Sequence, residues 1–430
     1  MLWQKLLIVI VVVWCTASAL GPGEAFAPAV QSRTTKTATP PRLVARTDVP
    51  APASSPTFPL PSALFTGNTP FHHSVAALLS TGARIMPAAI TANWWAAGIK
   101  AVNEPNQSPP VYIGRPGDPV YKIACSAAGY KGVGVDCNAG GKVAHFPAGA
   151  VAQDRNTDKH VATVDFALGA EIDGWGGFNN SNFTGPAQCV LTHGKPGTLN
   201  CAWGGSFALN GSGLGVDGSD VYSNSTAASY ALGIFELTAQ DLLNGARGMP
   251  IAHALGMGVS CIDPPENGEK RGVYPSYRRK SDNTCPPSQE PNLIYGDLLA
   301  IKPNVDLATR GGSVYCQAVL RALQTYGAYV VDVGPGYGAA IQTENPDVET
   351  YEYGTFPNPW YTTIEPAMAA AGEGANPGPR FTYSSCLNHT TQDDWETIEL
   401  NQRGTAALPQ RHDAKRLRRE HGGKASDRRS

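Results

Sequence analysis

The stretch from Asp158 to Trp175 holds the densest set of side chains able to move protons: Asp158, His160 and Asp165, then Glu171, Asp173 and Trp175. In a strand, residues two apart share a face, so Glu171, Asp173 and Trp175 line one side together. Two carboxyl groups beside an indole suit sugar chemistry. The acids serve as proton donor and base or nucleophile, and the flat ring stacks on the apolar face of a pyranose. Glu171 or Asp173 is therefore expected as base or nucleophile and His160 as shuttle or orienting group. Trp175 and Trp203 are expected to hold sugar rings, with Asp158, Asp165 and His253 completing the substrate-binding set. A hairpin turning at Ala167-Leu168-Gly169 returns His160 to the neighbourhood of Asp173 and Trp175. His253 has two readings, a partner of His160 in metal binding or proton transfer and a hydrogen-bonded core residue. Asp332, at a strand end before Gly334-Pro335-Gly336, is either a cleft carboxylate or a turn cap.

Those side chains need a β framework to hold them. Short β-type runs separated by Gly, Pro, Asn and Asp occur at 111–113, 120–125, 142–146, 160–166, 169–175, 202–209, 253–261, 329–333 and 338–342. Many short strands with regular turn signals predict a mostly β chain, a β-sandwich. Two short helices interrupt it. Thr238 to Asp241 forms a capping box with Gly245 as the stop, and 313–326 carries a helical apolar stripe at Val314, Ala318, Leu320, Leu323 and Tyr326. Residues 71–101 read as a helical or irregular lead-in.

Charge and cysteine usage bound the setting. Gly and Pro total 82 of 430 residues and charged residues are 16%, which excludes a long helical bundle or coiled coil. Met1 to Ala27 reads as an export signal, with Lys5, an apolar run 6–14 and small-x-small sites at 17–19 and 25–27. The apolar run is short for a membrane span, so membrane association is expected only during export. Residues 28–70 read as a Pro/Thr/Ser-rich linker, 71–400 as one domain and 401–430 as a basic disordered tail. The near-neutral total of −2 hides an acidic body (−11 over 69–402) and a tail carrying +6 over 403–430. The tail, with Lys415-Arg416-Leu417-Arg418-Arg419, is expected to attract anionic polymers weakly, without specific nucleic-acid binding.

Removing the signal leaves eight cysteines. An even number behind an export signal implies disulfides. Neighbour pairing, the least assumption, gives Cys125–Cys137, Cys189–Cys201, Cys261–Cys285 and Cys316–Cys386. No cysteine spacing matches a zinc pattern, and no HExxH, EF-hand or GxSxG motif occurs, so neither metal nor cofactor is expected. Gly211 to Gly215 lacks the strand–helix setting of a phosphate loop.

Two resemblances follow from these residues. Asp158, His160, Asp165, Asp173, Trp175, Trp203-Gly204-Gly205 and His253-Ala254-Leu255 resemble the pattern of an uncharacterised group of secreted bacterial proteins. That likeness spans about Val111 to Trp360 and includes Tyr274-Pro275 and 321–329; it implies extent and fold. Glu171-Ile172-Asp173 is similar to the E-I-D strand of laminarinase-type retaining glycosidases, which implies a concanavalin-like jelly roll. That family continues with a second glutamate, where this chain has Gly174, Trp175 and Gly176. The resulting expectation is a secreted, monomeric, carbohydrate-active protein, a polysaccharide hydrolase. A non-catalytic glycan-binding or wall-associated protein and a polysaccharide lyase are the alternatives. The acidic body ranks the lyase, with its anionic substrate, below the hydrolase.

Overall fold

The computed structural model of the chain describes residues 61–67, 69–97, 109–125, 139–153, 159–176, 189, 196–214, 226–263, 273–276, 284–333, 339–345, 363–373 and 383–400. The expected signal segment, the basic tail, Asp158 and Cys137 lie outside these residues. Within them the protein is mostly β, with thirteen strands in three mixed sheets and five α-helices.

A four-stranded sheet is central to the site. Its order is β2 (Val111–Gly114), β5 (His160–Asp165), β6 (Ala170–Trp175) and β8 (Trp203–Ala208). A three-stranded sheet has the order β4 (Val143–His145), β3 (Val120–Cys125), β7 (Gly197–Cys201). The six-stranded sheet runs β1 (Arg84–Ile85), β13 (Trp395–Glu399), β10 (Leu298–Ile301), β11 (Ala328–Val333), β9 (Leu255–Val259), β12 (Ala339–Ile341). Three of the ladders, β2–β5, β3–β7 and β9–β11, are parallel.

Alternation along β5 and β6 divides the central sheet between two cores. Val111, Ala162, Val164 and Phe207 face the larger core, shared with the six-stranded sheet. Tyr112, Val161 and Ile172 face a second core with Tyr121, Ile123, Phe146 and Leu199. The β5–β6 hairpin closes on Gly169, whose φ of +64° only glycine adopts without strain, and Asp165 accepts the Leu168 N–H at 3.0 Å.

Nine strands stand where the sequence places them, and both expected helices form, as α3 (Ala239–Ala246) and α4 (Val314–Thr325). Thr238 and Asp241 make the reciprocal capping box. Three further helices correct the count of two: α1 (Val75–Ser80), α2 (Ala88–Ala96) and α5 (Glu365–Ala370). The boundary at residue 70 also shifts. Leu64 and Phe65 are buried in the larger core, and Phe65 meets Phe207 edge to face at 6.4 Å, so packing begins ahead of the expected domain start.

Disulfides join Cys189–Cys201, Cys261–Cys285 and Cys316–Cys386, as neighbour pairing anticipates. The Cys125–Cys137 pair involves a residue outside the described set. Three disulfides suit an oxidising compartment. Among the described residues no helix is long and apolar enough to cross a membrane.

Candidate functional site

The β5–β6 register sets His160 opposite Trp175, Ala162 opposite Asp173 and Val164 opposite Glu171. The expected face therefore exists: Glu171, Asp173, Trp175 and His160 share one side of the sheet. The His160 and Trp175 rings lie 6.5 Å apart, tilted by 55°, and both residues are half-buried. Trp203 pairs with Trp175 across β8.

The two carboxyl groups occupy a different environment. Glu171 and Asp173 are 0% and 1% exposed, sealed on the side of the larger core. Each caps a backbone turn: Glu171 accepts from Gly233 N–H at 2.8 Å and Asp173 from Leu232 N–H at 3.2 Å. A Cβ at Gly233 would stand 2.9 Å from Glu171 Oε2, so glycine permits this close approach. Burial, then the neighbouring Asp173 charge and a hydrogen bond with it, push the Glu171 carboxyl well above its ordinary range; the turn amides oppose this in part. Two like charges at such spacing out of water do not both persist, so the pair favours one proton held between them. An open trough at these carboxylates, the expected setting for general acid–base work on a polymer, is absent among the described residues.

Two other expected site residues lie elsewhere. His253 is fully buried, with Nδ1 on Ala254 O at 2.9 Å and Nε2 on Asp241 at 3.4 Å. It bridges β9 to the cap of α3, the core reading of a lone histidine. Asp165 is five residues from His160 and hence on the opposite face of the sheet, with Val161 and Thr163.

On that opposite face Asp165 pairs with His145, a residue the sequence reading missed. Asp165, 0% exposed, accepts from His145 Nδ1 at 2.6 Å, from His145 N–H at 3.1 Å and from Leu168 N–H. Thr163 Oγ1 donates to His145 O at 2.9 Å. A Cβ at Gly114 would come within 2.4 Å of that same carbonyl oxygen, so β2, β4 and β5 close tightly around the pair. With the carboxylate on Nδ1, the neutral imidazole carries its proton there and presents the Nε2 lone pair. The His145 side chain is 17% exposed, and among the described residues its ring hydrogen bond is the one from Nδ1 to Asp165. This is the orienting arrangement of an imidazole general base: a buried acid behind a partly exposed ring. The flanking charged residues Arg115, Lys122 and Lys142 are basic, against Asp118. Lys142 Nζ donates to Ser206 Oγ at 2.7 Å.

The signal available in the sequence was slight. His145 and Asp165 stand one residue from the ends of two strand candidates, and only the packing of two separate sheets brings them together. No family model, no curated protein and no solved structure matches the chain.

Proposed function

We propose that the chain is an exported, carbohydrate-active enzyme whose proton transfer is carried out by His145 backed by Asp165. The observation that carries this is a 17% exposed imidazole fixed at 2.6 Å through Nδ1 by a fully buried carboxylate. Among polysaccharide chemistries, that equipment favours β-elimination on a uronic-acid polymer. His145 Nε2 takes the proton on the carbon next to the uronate carboxylate, the freed electron pair forms the new double bond, and the glycosidic C–O bond breaks. The leaving oxygen takes a proton from the imidazolium or from water, and Asp165 stabilises that imidazolium. Arg115, Lys122 and Lys142, on or beside the strands β2, β3 and β4 and set against Asp118, would suit an anionic sugar.

Hydrolysis by Glu171 and Asp173, the expectation from E-I-D, requires both carboxyls within hydrogen-bond reach of the bond being cut. Their sealed position supports the anchoring of the 232–233 turn instead. Nor do the three parallel ladders belong to an antiparallel concanavalin-like jelly roll. Non-catalytic glycan binding is the second reading, favoured by the half-buried His160–Trp175 pair on the other face, whose indole would stack on a sugar ring. Export rests on the amino-terminal segment and the disulfides together.

The test is a panel of neutral and uronic-acid polysaccharides with two readouts, ultraviolet absorbance of an unsaturated uronate and new reducing ends. Elimination gives both signals from uronate polymers. Reducing ends without the ultraviolet signal would return the hydrolase. Binding without either product would support the glycan-binding reading, and no binding or product on any polymer would remove carbohydrate chemistry.

A further inference from the structure

A third cluster of donors stands at the start of α4, far in sequence from the groups above. Cys316 lies in the first turn of that helix and is bonded to Cys386. Cys386 and His389 share the 3-10 helix Tyr383–His389, whose three-residue period stacks positions i and i+3 on one side. Glu373 follows α5 and is 4% exposed. One donor atom each from Cys316, Glu373 and His389 lies within 4.8 Å of the others. Glu373 Oε1 accepts from Ser313 N–H and sits 3.4 Å from His389 Nε2, while Oε2 is buried with no hydrogen-bond partner among the described residues.

The cluster closes around a glycine. At Gly312, with φ of +91°, a Cβ would fall 2.9 Å from Glu373 Oε1, 3.1 Å from His389 Nε2 and 3.2 Å from Cys316 Cβ. Any side chain there would occupy the point on which the donors converge. While the sulfurs are bonded to each other, only an imidazole and a carboxylate remain as ligands. Breaking that bond frees the Cys316 thiolate at that point.

We propose that reduction of Cys316–Cys386 converts this cluster into a zinc-class metal site formed by Cys316, His389 and Glu373. The reductant is a dithiol: it delivers two electrons and two protons to the disulfide and is itself oxidised to a disulfide. The metal then displaces the Cys316 thiol proton to solvent, and Cys386 keeps its own. One sulfur, one nitrogen and one carboxylate oxygen form a three-donor set that Zn2+ accepts with a water in the fourth position, whereas Mg2+ and Ca2+ prefer oxygen alone. His389, with a side chain 26% exposed, opens the route from solvent. This site is independent of the carbohydrate reading.

Cobalt(II) is the probe. The full chain is reduced with a phosphine, which does not compete as a thiolate ligand, and titrated with Co2+ without oxygen. The expected result is one Co2+ per chain, with thiolate charge-transfer absorption and a tetrahedral ligand-field spectrum, displaced by Zn2+ and absent in the oxidised protein. Replacing Cys316 and Cys386 by serine removes the spectrum, replacing Cys261 and Cys285 leaves it, and His389→Ala weakens binding by at least about tenfold. In a second measurement that needs no cysteine variant, Zn2+ accelerates net reduction of this disulfide by a dithiol in the native chain, and Glu373→Gln blunts the effect. A reduced chain that unfolds or binds no cobalt, a spectrum surviving loss of Cys316 and Cys386, or indifference to His389→Ala would overturn the assignment.

Discussion

Replacing Glu171 by Gln should change how stability depends on pH. Glu171 titrates well above its ordinary value of 4.5 because it is buried beside Asp173. Below about pH 4.5 it is protonated in both the folded and unfolded chains and adds no pH dependence. Above that, the unfolded chain releases the proton and the folded chain retains it. Native protein then binds more protons, so stability falls with rising pH by about 1.4 kcal/mol per unit until the folded carboxyl itself ionises. Gln keeps an oxygen for the Gly233 N–H, which lies 2.8 Å from Glu171 Oε1, and an amide hydrogen for Asp173, but has no proton to lose. The variant should match the wild type well below pH 4.5 and lead it by a margin that widens as pH rises, until the folded carboxyl itself ionises. Urea denaturation followed by tryptophan fluorescence over this range measures the difference. Glu396, also raised by burial against an opposing Lys302, contributes to both proteins and cancels in the comparison. Parallel curves for the two proteins, or a Gln variant weaker at every pH, would refute the shared-proton account.

Two stability predictions accompany it. Gly245→Ala places a Cβ 2.4 Å from Ala318 Cβ where α3 crosses α4; the overpacking cost of about 1–3 kcal/mol should exceed the helix-propensity gain of about 1 kcal/mol, read as a lower denaturation midpoint. Phe65→Ala should cost about 3–5 kcal/mol, because its ring is buried in the larger core against Phe207; a midpoint close to wild type would return residues 61–70 to the linker.

Local pattern carried much of the framework. Period-two alternation and turn residues located β5 and β6 and the shared face of Glu171, Asp173, Trp175 and His160, and the Thr238–Asp241 capping box located α3. What escaped was set by distant packing. β10 and β13 are short buried strands that pair with each other across most of a hundred residues. Their Leu-Leu-Ala-Ile and Trp-Glu-Thr-Ile-Glu runs have no turn-bounded alternation of their own. Burial of Glu171 and Asp173 depends on the 232–233 turn folding over them, which no spacing within β6 reveals. His145 meets Asp165 only because the three-stranded sheet packs beneath the central one, and the Glu373–His389 cluster forms because a 70-residue disulfide loop brings α4 to the 3-10 helix that carries His389.

The most direct measurement of the central assignment is the rate of unsaturated-uronate formation by wild type, His145→Gln and Asp165→Asn on the polyuronate that the wild type cleaves. Loss of the base should lower the rate by about 10²- to 10⁴-fold with the fold intact by circular dichroism, and Asp165→Asn should lower it while the rate of the Glu171→Gln variant stays near wild type. Full elimination by His145→Gln, or loss of product on Glu171→Gln alone, would contradict the assignment of the chemistry to the His145–Asp165 pair.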